Sequence, residues 1–234
     1  MATTPGPPGP CGKTRRADAE RNRARILAAA EEVFAESGLL VPMSEVARRA
    51  GVGIATLLRN FATRENLIAA TFAATMTAYA DAIDTALADP DPWHGFCRYV
   101  ETVCQMQAAD RGFTHVLTMT FPAAEQFEAE RARAYRGFVK LVRKAKATGQ
   151  LRADFSPQDL PMILMANAGV VSATGHAATP TAWRRLVAYL LQACAAECAQ
   201  PLPAAPRARH MYRALQQIGQ PGTHQNNPSQ LRST

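Results

Sequence analysis

Between Ser44 and Phe61 the chain reads SEVARRAGVGIATLLRNF, and the Gly51-Val52-Gly53 step limits what can be built on either side of it. Val46, Ala47 and Ala50 before the step, and Leu57 and Phe61 after it, recur at helical spacing. Two short helices must therefore meet at a glycine turn, each burying one face. The second helix, Ile54 to Asn60, turns Ala55, Thr56, Arg59 and Asn60 outward. Gly53 and Ala55 keep its leading edge small, so that its backbone can approach another surface closely. This is the build of a helix-turn-helix, whose second helix is shaped to enter a DNA major groove.

The flanking segments extend the pattern. In RILAAAEEVFAESG the residues Ile26, Ala30, Val33 and Phe34 make one apolar stripe, Glu31, Glu32 and Glu36 stay in water, and Gly38 ends the helix. After the turn-bearing stretch, Thr63 is a natural N-cap. Leu67, Ile68, Phe72, Met76, Tyr79, Ile83 and Leu87 then share one face, which predicts a single helix of about 25 residues. Asp89-Pro90-Asp91-Pro92 stops it. A helix of that length leaves the first unit and enters the next, so it can carry a change from one to the other.

The segments AEEVFAESG, EVARRAGV, TLLRNF and TRENLI follow one another in a set order and spacing, and on them the stretch Arg25 to Phe72 resembles the DNA-binding domain of the TetR family of transcriptional regulators. Three positions depart from the family pattern. Leu58 stands where a tyrosine usually reaches a phosphate, Pro42 where a Ser or Thr would cap the second helix, and Ala62 where a proline is common. The resemblance implies an all-α chain with an N-terminal helix-turn-helix DNA-binding domain of three helices and a C-terminal helical domain for ligand binding and dimerisation.

Composition agrees with a folded helical protein. With 234 residues, 47% of them hydrophobic, the chain can bury a full core. No apolar run approaches the roughly 20 residues that span a bilayer, and MATTPGPPGPCGKTRR has no apolar signal region, so a cytoplasmic location without membrane association is expected. Cys11, Cys97, Cys104, Cys194 and Cys198 form no CxxC pair and are expected as reduced thiols, Cys194 and Cys198 filling one helix face. The formal charge of +7 is uneven: residues 1–70 hold ten basic and seven acidic side chains, 71–199 twelve of each, and 200–234 four Arg and no acid. Six of the basic residues lie between Lys13 and Arg25. A basic N-terminal end suits a polyanion, because neutralised phosphates release counterions.

The rest of the chain lacks strand alternation and predicts helices over 92–109, 111–120, 123–148, 157–175 and 180–199, about nine in all, with a marginal helix over 207–218. Four stretches are expected: a disordered leader at 1–14, a helix-turn-helix domain at 15–70, a ligand-binding and dimerisation domain at 71–199, and a mostly disordered tail at 200–234. The expected DNA contacts are Ser44, Gly53, Ala55, Thr56, Leu58, Arg59, Asn60 and Arg64. Arg59 is suited to guanine, Thr56 to a phosphate and Asn60 to either a base edge or a phosphate.

Phe96, Tyr99, Val103, Met106, His115, Met119, Tyr135, Met165 and Asn167 are candidate walls of a ligand pocket, where Met and aromatic groups adapt to varied shapes. Each is also a candidate for ordinary core. On the last helix pair, Leu160, Ile163, Asn167 and Val171 form one stripe and Met162, Ala166, Gly169 and Ala173 a second. Trp183, Leu186, Val187 and Leu190 add a third. A helix apolar on two sides needs two partners, so these stripes are candidates for a dimer interface. No catalytic motif accompanies the five histidines, and neither an enzyme activity, a metal nor a cofactor is expected. The expectation is a homodimeric regulator that binds double-stranded DNA at a palindromic operator and is released by a small-molecule effector. A helical small-molecule-binding dimer with weakened DNA function, an activator, or a non-specific DNA binder are the alternatives.

Overall fold

The computed structural model describes residues 11–178, 181–197 and 200–218, and among these the regular structure is helical. The eleven helices are α1 (Cys11–Ser37), α2 (Met43–Ala50), α3 (Ile54–Asn60), α4 (Arg64–Thr71), α5 (Ala73–Leu87), α6 (Pro92–Ala109), α7 (Arg111–Thr118), α8 (Glu125–Ala147), α9 (Asp159–Ala178), α10 (Ala182–Cys194) and α11 (Ala208–Ile218). The only strand-like pairing among the described residues is an isolated antiparallel bridge between Leu151 and Ala195. No described helix is long and apolar enough to cross a membrane.

Several boundaries differ from the sequence-based expectation, among them the end of α10, which stops at Cys194 rather than 199. Helix α1 begins at Cys11, inside the stretch expected as leader. The single helix expected from Thr63 to Leu87 is two, broken at Phe72, whose φ of −99° and ψ of 13° leave the helical well. The backbone bonds Phe72 N to Ile68 O and Met76 N to Phe72 O bracket the break at 3.0 and 2.8 Å, so the axis bends without losing its ladder. The cause is the Phe72 side chain, drawn between Phe34 of α1 and Phe113 of α7 with ring centroids 6.2 and 6.3 Å away. Finally, α9 starts at Asp159 rather than 157: the Asp159 carboxylate accepts from Ser156 N at 2.7 Å and closes a turn before the helix. Cys198, expected to share a helix face with Cys194, lies outside the described residues.

Buried apolar side chains form one connected core from Ile26 of α1 to Cys194 of α10. Helices α1 to α4 wrap Ile26, Val33, Phe34, Val46, Leu57, Leu67 and Ile68. Helices α5, α6 and α8 pack around Phe96, Tyr99 and Phe138, with Trp93 stacked on Phe96 and Phe155 edge-on to it. Gly137 lets α8 approach α5, since a β-carbon there would come within 2.7 Å of Ile83. The same pair is clasped outside by Arg133, which reaches Asp81 and Asp84 of α5 at 2.6 and 2.7 Å.

A buried polar ladder joins α6 to α9 and α7. Asn167 donates to Gln107 Oε1 at 2.9 Å and to the Cys104 carbonyl at 3.2 Å, Gln107 donates to the Leu164 carbonyl at 3.3 Å, and the Thr114 hydroxyl donates to the Gln107 carbonyl at 2.6 Å. In a low-dielectric interior such amides hold position because each broken bond leaves a desolvated polar group.

Helix α7 is the seam with α1 to α4. Besides Phe113, it lays His115 against Gly38, where a β-carbon would stand 3.5 Å from the imidazole Cε1. Burial, and secondarily Arg111, hold the His115 pKa below its ordinary value of 6.5. The unfolded chain therefore takes up this proton first as the pH falls. The contribution is present in full above about 6.5 and is lost as the pH drops below it. Urea denaturation should accordingly give a lower midpoint at pH 5.5 than at pH 7.5, with a shallower decline in His115→Gln; equal declines in the two proteins would contradict this assignment.

Candidate nucleic-acid interface

The exposed face of the helix-turn-helix is set by its turn. Gly51 caps α2 in the left-handed conformation, φ 63° and ψ 37°, and its N–H bonds the Arg48 carbonyl at 3.1 Å. Arg25 of α1 crosses to the same turn and donates to the carbonyls of Ala50 and Gly51 at 2.7 and 3.2 Å. The Arg25 guanidinium lies so close that a β-carbon on Gly51 would stand 2.7 Å from it. Pro42 precedes α2 as its N-cap and makes no side-chain cap bond. Arg49 ties α2 to α1 through Glu36 at 2.7 Å and Glu32 at 3.3 Å, and Arg48 pairs with Glu45 at 2.5 Å. Both pairs use the acids of the domain against its own cations, which leaves other basic groups to face outward.

On α3, Leu57 is buried and fastens the helix, while Gly53, Ala55, Leu58 and Arg59 are exposed and Thr56 and Asn60 are half-buried. Arg59 lies back along the helix, its Nε donating to the Ala55 carbonyl at 3.2 Å and its Nη2 to the Thr56 hydroxyl at 3.1 Å. Asn60 Nδ2 donates to the Thr56 carbonyl at 2.8 Å. Ser44 is exposed in the first turn of α2. Thr63 caps α4 by accepting from Asn66 N at 3.1 Å, and Arg64 opens that helix, half-buried. The eight residues expected to contact DNA thus sit on α2, α3 and the start of α4. One cation that sequence reasoning did not single out joins them: Arg23, stacked over the Phe61 ring at 4.5 Å. Its signal was present in the basic run before Arg25, but the stacking partner is a matter of tertiary structure.

The candidate ligand walls are not brought together. Phe96, Tyr99, Val103, Met119 and Asn167 are buried in the core, Met106 and Met165 are half-buried, and His115 is exposed on the seam. Aromatic stacking and the Asn167 ladder use the space where a pocket was expected. Of those nine residues only Tyr135 borders the apolar groove that does exist, a space of about 350 Å³ between α5, α7, α8, α9 and α11. Its walls include Tyr79, Leu117, Arg131, Tyr135, Leu160, Pro161, Leu164 and Met211. Burial pushes the Tyr79 and Tyr135 hydroxyls above the usual phenol range, so both are protonated at neutral pH. A larger cleft of about 540 Å³ separates α3 and α4 from α8, and its lining is mixed, with Arg23, Asn60, Asn66, Glu125 and Glu130 beside Phe61, Met76 and Phe127.

The expected dimer stripes are also redistributed. Leu160, Ile163, Asn167 and Val171 are buried within the chain, where α9 packs on α6 and α7, and Val187 is buried on α10. They are thereby withdrawn from a partner. The second stripe of α9, with Met162, Ala166, Gly169 and Ala173, is exposed. On α10, Trp183, Leu186 and Leu190 are half-buried and Tyr189 is 55% exposed. Among the described residues no group of three or more His, Cys, Asp or Glu is placed to hold a metal ion.

A solvent-facing second helix set on a glycine turn, carried by an all-helical body, is the build of a DNA-binding regulator of the helix-turn-helix class. Residues 26–71 match the model of the bacterial regulatory proteins of the tetR family, and the fold is that of a TetR-family transcriptional regulator. A search of curated protein sequences finds no match. Among solved structures, a TetR transcriptional regulator of Streptomyces coelicolor is 28% identical over 74% of this chain and 98% of its own, with a TM-score of 0.46. The transcriptional regulator FadR of Bacillus subtilis, in complex with stearoyl-CoA, is 14% identical over 72% and 97%, with a TM-score of 0.55. The TetR family regulator PfmR of Thermus thermophilus is 18% identical over the same shares, also at 0.55.

The turn offers a direct test. Gly51→Ala should cost about 1–2 kcal/mol, the penalty of a left-handed residue bearing a β-carbon, and should also displace the Arg25 guanidinium. Urea denaturation of the two proteins measures it, and an unchanged midpoint would mean that the turn is not under this constraint.

Proposed function

We propose that the protein is a homodimeric repressor that reads a palindromic operator with α3 and is released from it by a small-molecule effector. The observation that carries the reading is the state of Arg59, an exposed cation on the outer face of α3, resting on Thr56 and the Ala55 carbonyl. Both bonds are local and solvent-exposed, so the guanidinium can leave them for the O6 and N7 of a guanine at little cost. Thr56 is then free for a phosphate. Ser44, Arg23, Arg64 and the N-terminal end of α4 flank the helix and suit backbone contacts that fix position without reading sequence. Leu58, 45% exposed, offers a methyl-bearing surface for sugar or thymine where a hydroxyl would have bonded a phosphate.

Dimerisation is supported by the uncovered small-residue stripe of α9, Met162, Ala166, Gly169 and Ala173, which allows close helix approach beside Tyr189 of α10. A two-fold pair would set two copies of α3 on successive turns of a duplex. The apolar groove beside Tyr135 is the effector site in this reading. FadR of Bacillus subtilis, which shares the fold, was solved with stearoyl-CoA bound.

A route from groove to reader runs through bonded groups. Arg131 at the groove donates to the carbonyls of Val116 and Leu117 at the end of α7, and Glu128 accepts from Phe121 N at 2.8 Å. The same loop reaches α4 through Ala123 N, which donates to Glu65 at 3.0 Å. An effector that binds one arrangement of this loop better than another shifts the population of α4, and with it the spacing of the readers. The protein is expected to act in the cytoplasm.

Selection of bound sequences from a random DNA pool tests the reading, with recovery of a palindrome as the expected outcome. On the recovered site, Arg59→Ala should lose about 1–3 kcal/mol of discrimination against substituted operators. Arg23→Ala should weaken all duplexes alike and reduce the salt dependence by about one ion. Recovery of no sequence preference would leave the regulator without an operator and defeat the proposal.

A further inference from the structure

The path of the chain after α10 builds one wall of the groove. At the end of α10 the Leu151–Ala195 bridge brings the two segments together. There Arg152, only 6% exposed, donates to the Ala193 carbonyl at 3.0 Å and to the Gln200 carbonyl. It also pairs with Asp154 at 2.5 Å, and the second oxygen of Asp154 accepts from Leu202 N at 3.2 Å. Arg152 holds the Asp154 carboxyl down to about 2, so the anchor is ionised throughout the physiological range. From this anchor an extended stretch leads to α11, which sets Ala208 and Met211 at the groove. With α11 in place about 350 Å³ is still open, within the usual range for small-molecule sites, so the helix is a wall of the groove rather than its occupant.

The polar groups of the groove define what fits. Arg131 donates to the Val116 and Leu117 carbonyls at 2.9 and 3.3 Å, while its Nε, buried without a hydrogen bond, lies 3.2 Å from Glu128, whose other oxygen takes the Phe121 N–H. The two charges lie against each other as an ion pair, so the groove presents no unpaired charge of either sign from them. Tyr135 accepts from Gln158 Nε2 at 2.7 Å, and the Gln158 carbonyl is taken by the Ser156 hydroxyl at 2.6 Å. The phenolic proton of Tyr135 remains to be donated. We propose that the groove takes an uncharged, largely apolar molecule whose hydrogen-bond acceptor meets Tyr135, and that α11 closes over it through Met211, so that ligand and tail are held together. This deepens the effector reading above and rests on it for the site alone.

Nile red, an uncharged apolar dye with a carbonyl acceptor, is the probe, used on the full chain. Its fluorescence should titrate to saturation. Saturation should slow tryptic cleavage after Arg207, Arg209 and Arg213, which are exposed on and just before α11. Met211→Glu places a carboxylate against the apolar wall and should weaken the dye about tenfold and abolish the protection, without lowering the thermal midpoint. Arg213→Glu should change neither the affinity nor the protection at Arg207 and Arg209. Absence of saturable binding, cleavage that is unchanged or faster with dye bound, or equal affinity in Met211→Glu overturns the proposal. Operator affinity measured alongside separates the two readings. Dye that closes the tail and leaves operator binding unchanged defeats the effector role but not the wall, and dye that releases the operator without protecting the tail does the reverse.

Discussion

The arrangement of this molecule depends on a single aromatic side chain at the junction of α4 and α5. Phe72 is held between Phe34 and Phe113, and therefore belongs at once to the core under the helix-turn-helix and to the seam with α7. Burying three rings in succession contributes more than their area alone, because offset and tilted aromatic pairs add favourable quadrupole contacts. The backbone gives way instead of the rings: the helix bends at Phe72 and keeps its bonds on either side. Gly112 makes room for this, since a β-carbon there would meet the Phe72 ring at 2.6 Å. A core that is continuous from α1 to α10 joins the helix-turn-helix to the body without a gap, and close-packed interiors pass on displacement rather than absorb it.

Charge is distributed to match. Glu32, Glu36 and Glu45 of α1 and α2 are taken by Arg48 and Arg49, while Arg23, Arg59 and Arg64 carry no ion pair among the described residues. Arg23 rests instead on the Phe61 ring, and Arg59 on a carbonyl and a hydroxyl of its own helix. Such contacts are weak in water and easily exchanged for phosphates, which is what a surface must do if it is to bind DNA and leave it again.

Much of this was legible in the sequence. The glycine step, the alternation of buried and exposed positions on α3, the Thr63 cap and the proline stop after α5 are local signals, and helices over 92–109 and 207–218 follow from local periodicity as well. What was not legible was tertiary. Periodicity tells that Leu160, Ile163 and Val171 share a face with Asn167, but not whether that face meets its own chain or a second one. Here it meets α6 and α7. Likewise Phe96, Tyr99 and Phe138 have the composition of a binding pocket, and only their mutual stacking shows them to be filled core. The groove drew on Arg131, Gln158 and Met211, polar or distant in sequence, which no single-helix pattern could collect. The break at Phe72 escaped for a similar reason, because its cause lies on α1 and α7.

The amides of Asn167 and Gln107 bear on how such a body can move. Apolar helices in contact can slip by a turn at modest cost, since one methyl group substitutes for another. A pair of helices keyed by donor and acceptor in a dry interior loses those bonds when it slips, and each loss leaves a desolvated polar group. Sliding of α6 along α9 would break the Asn167 and Gln107 bonds together, so motions that carry the two helices as a unit cost less.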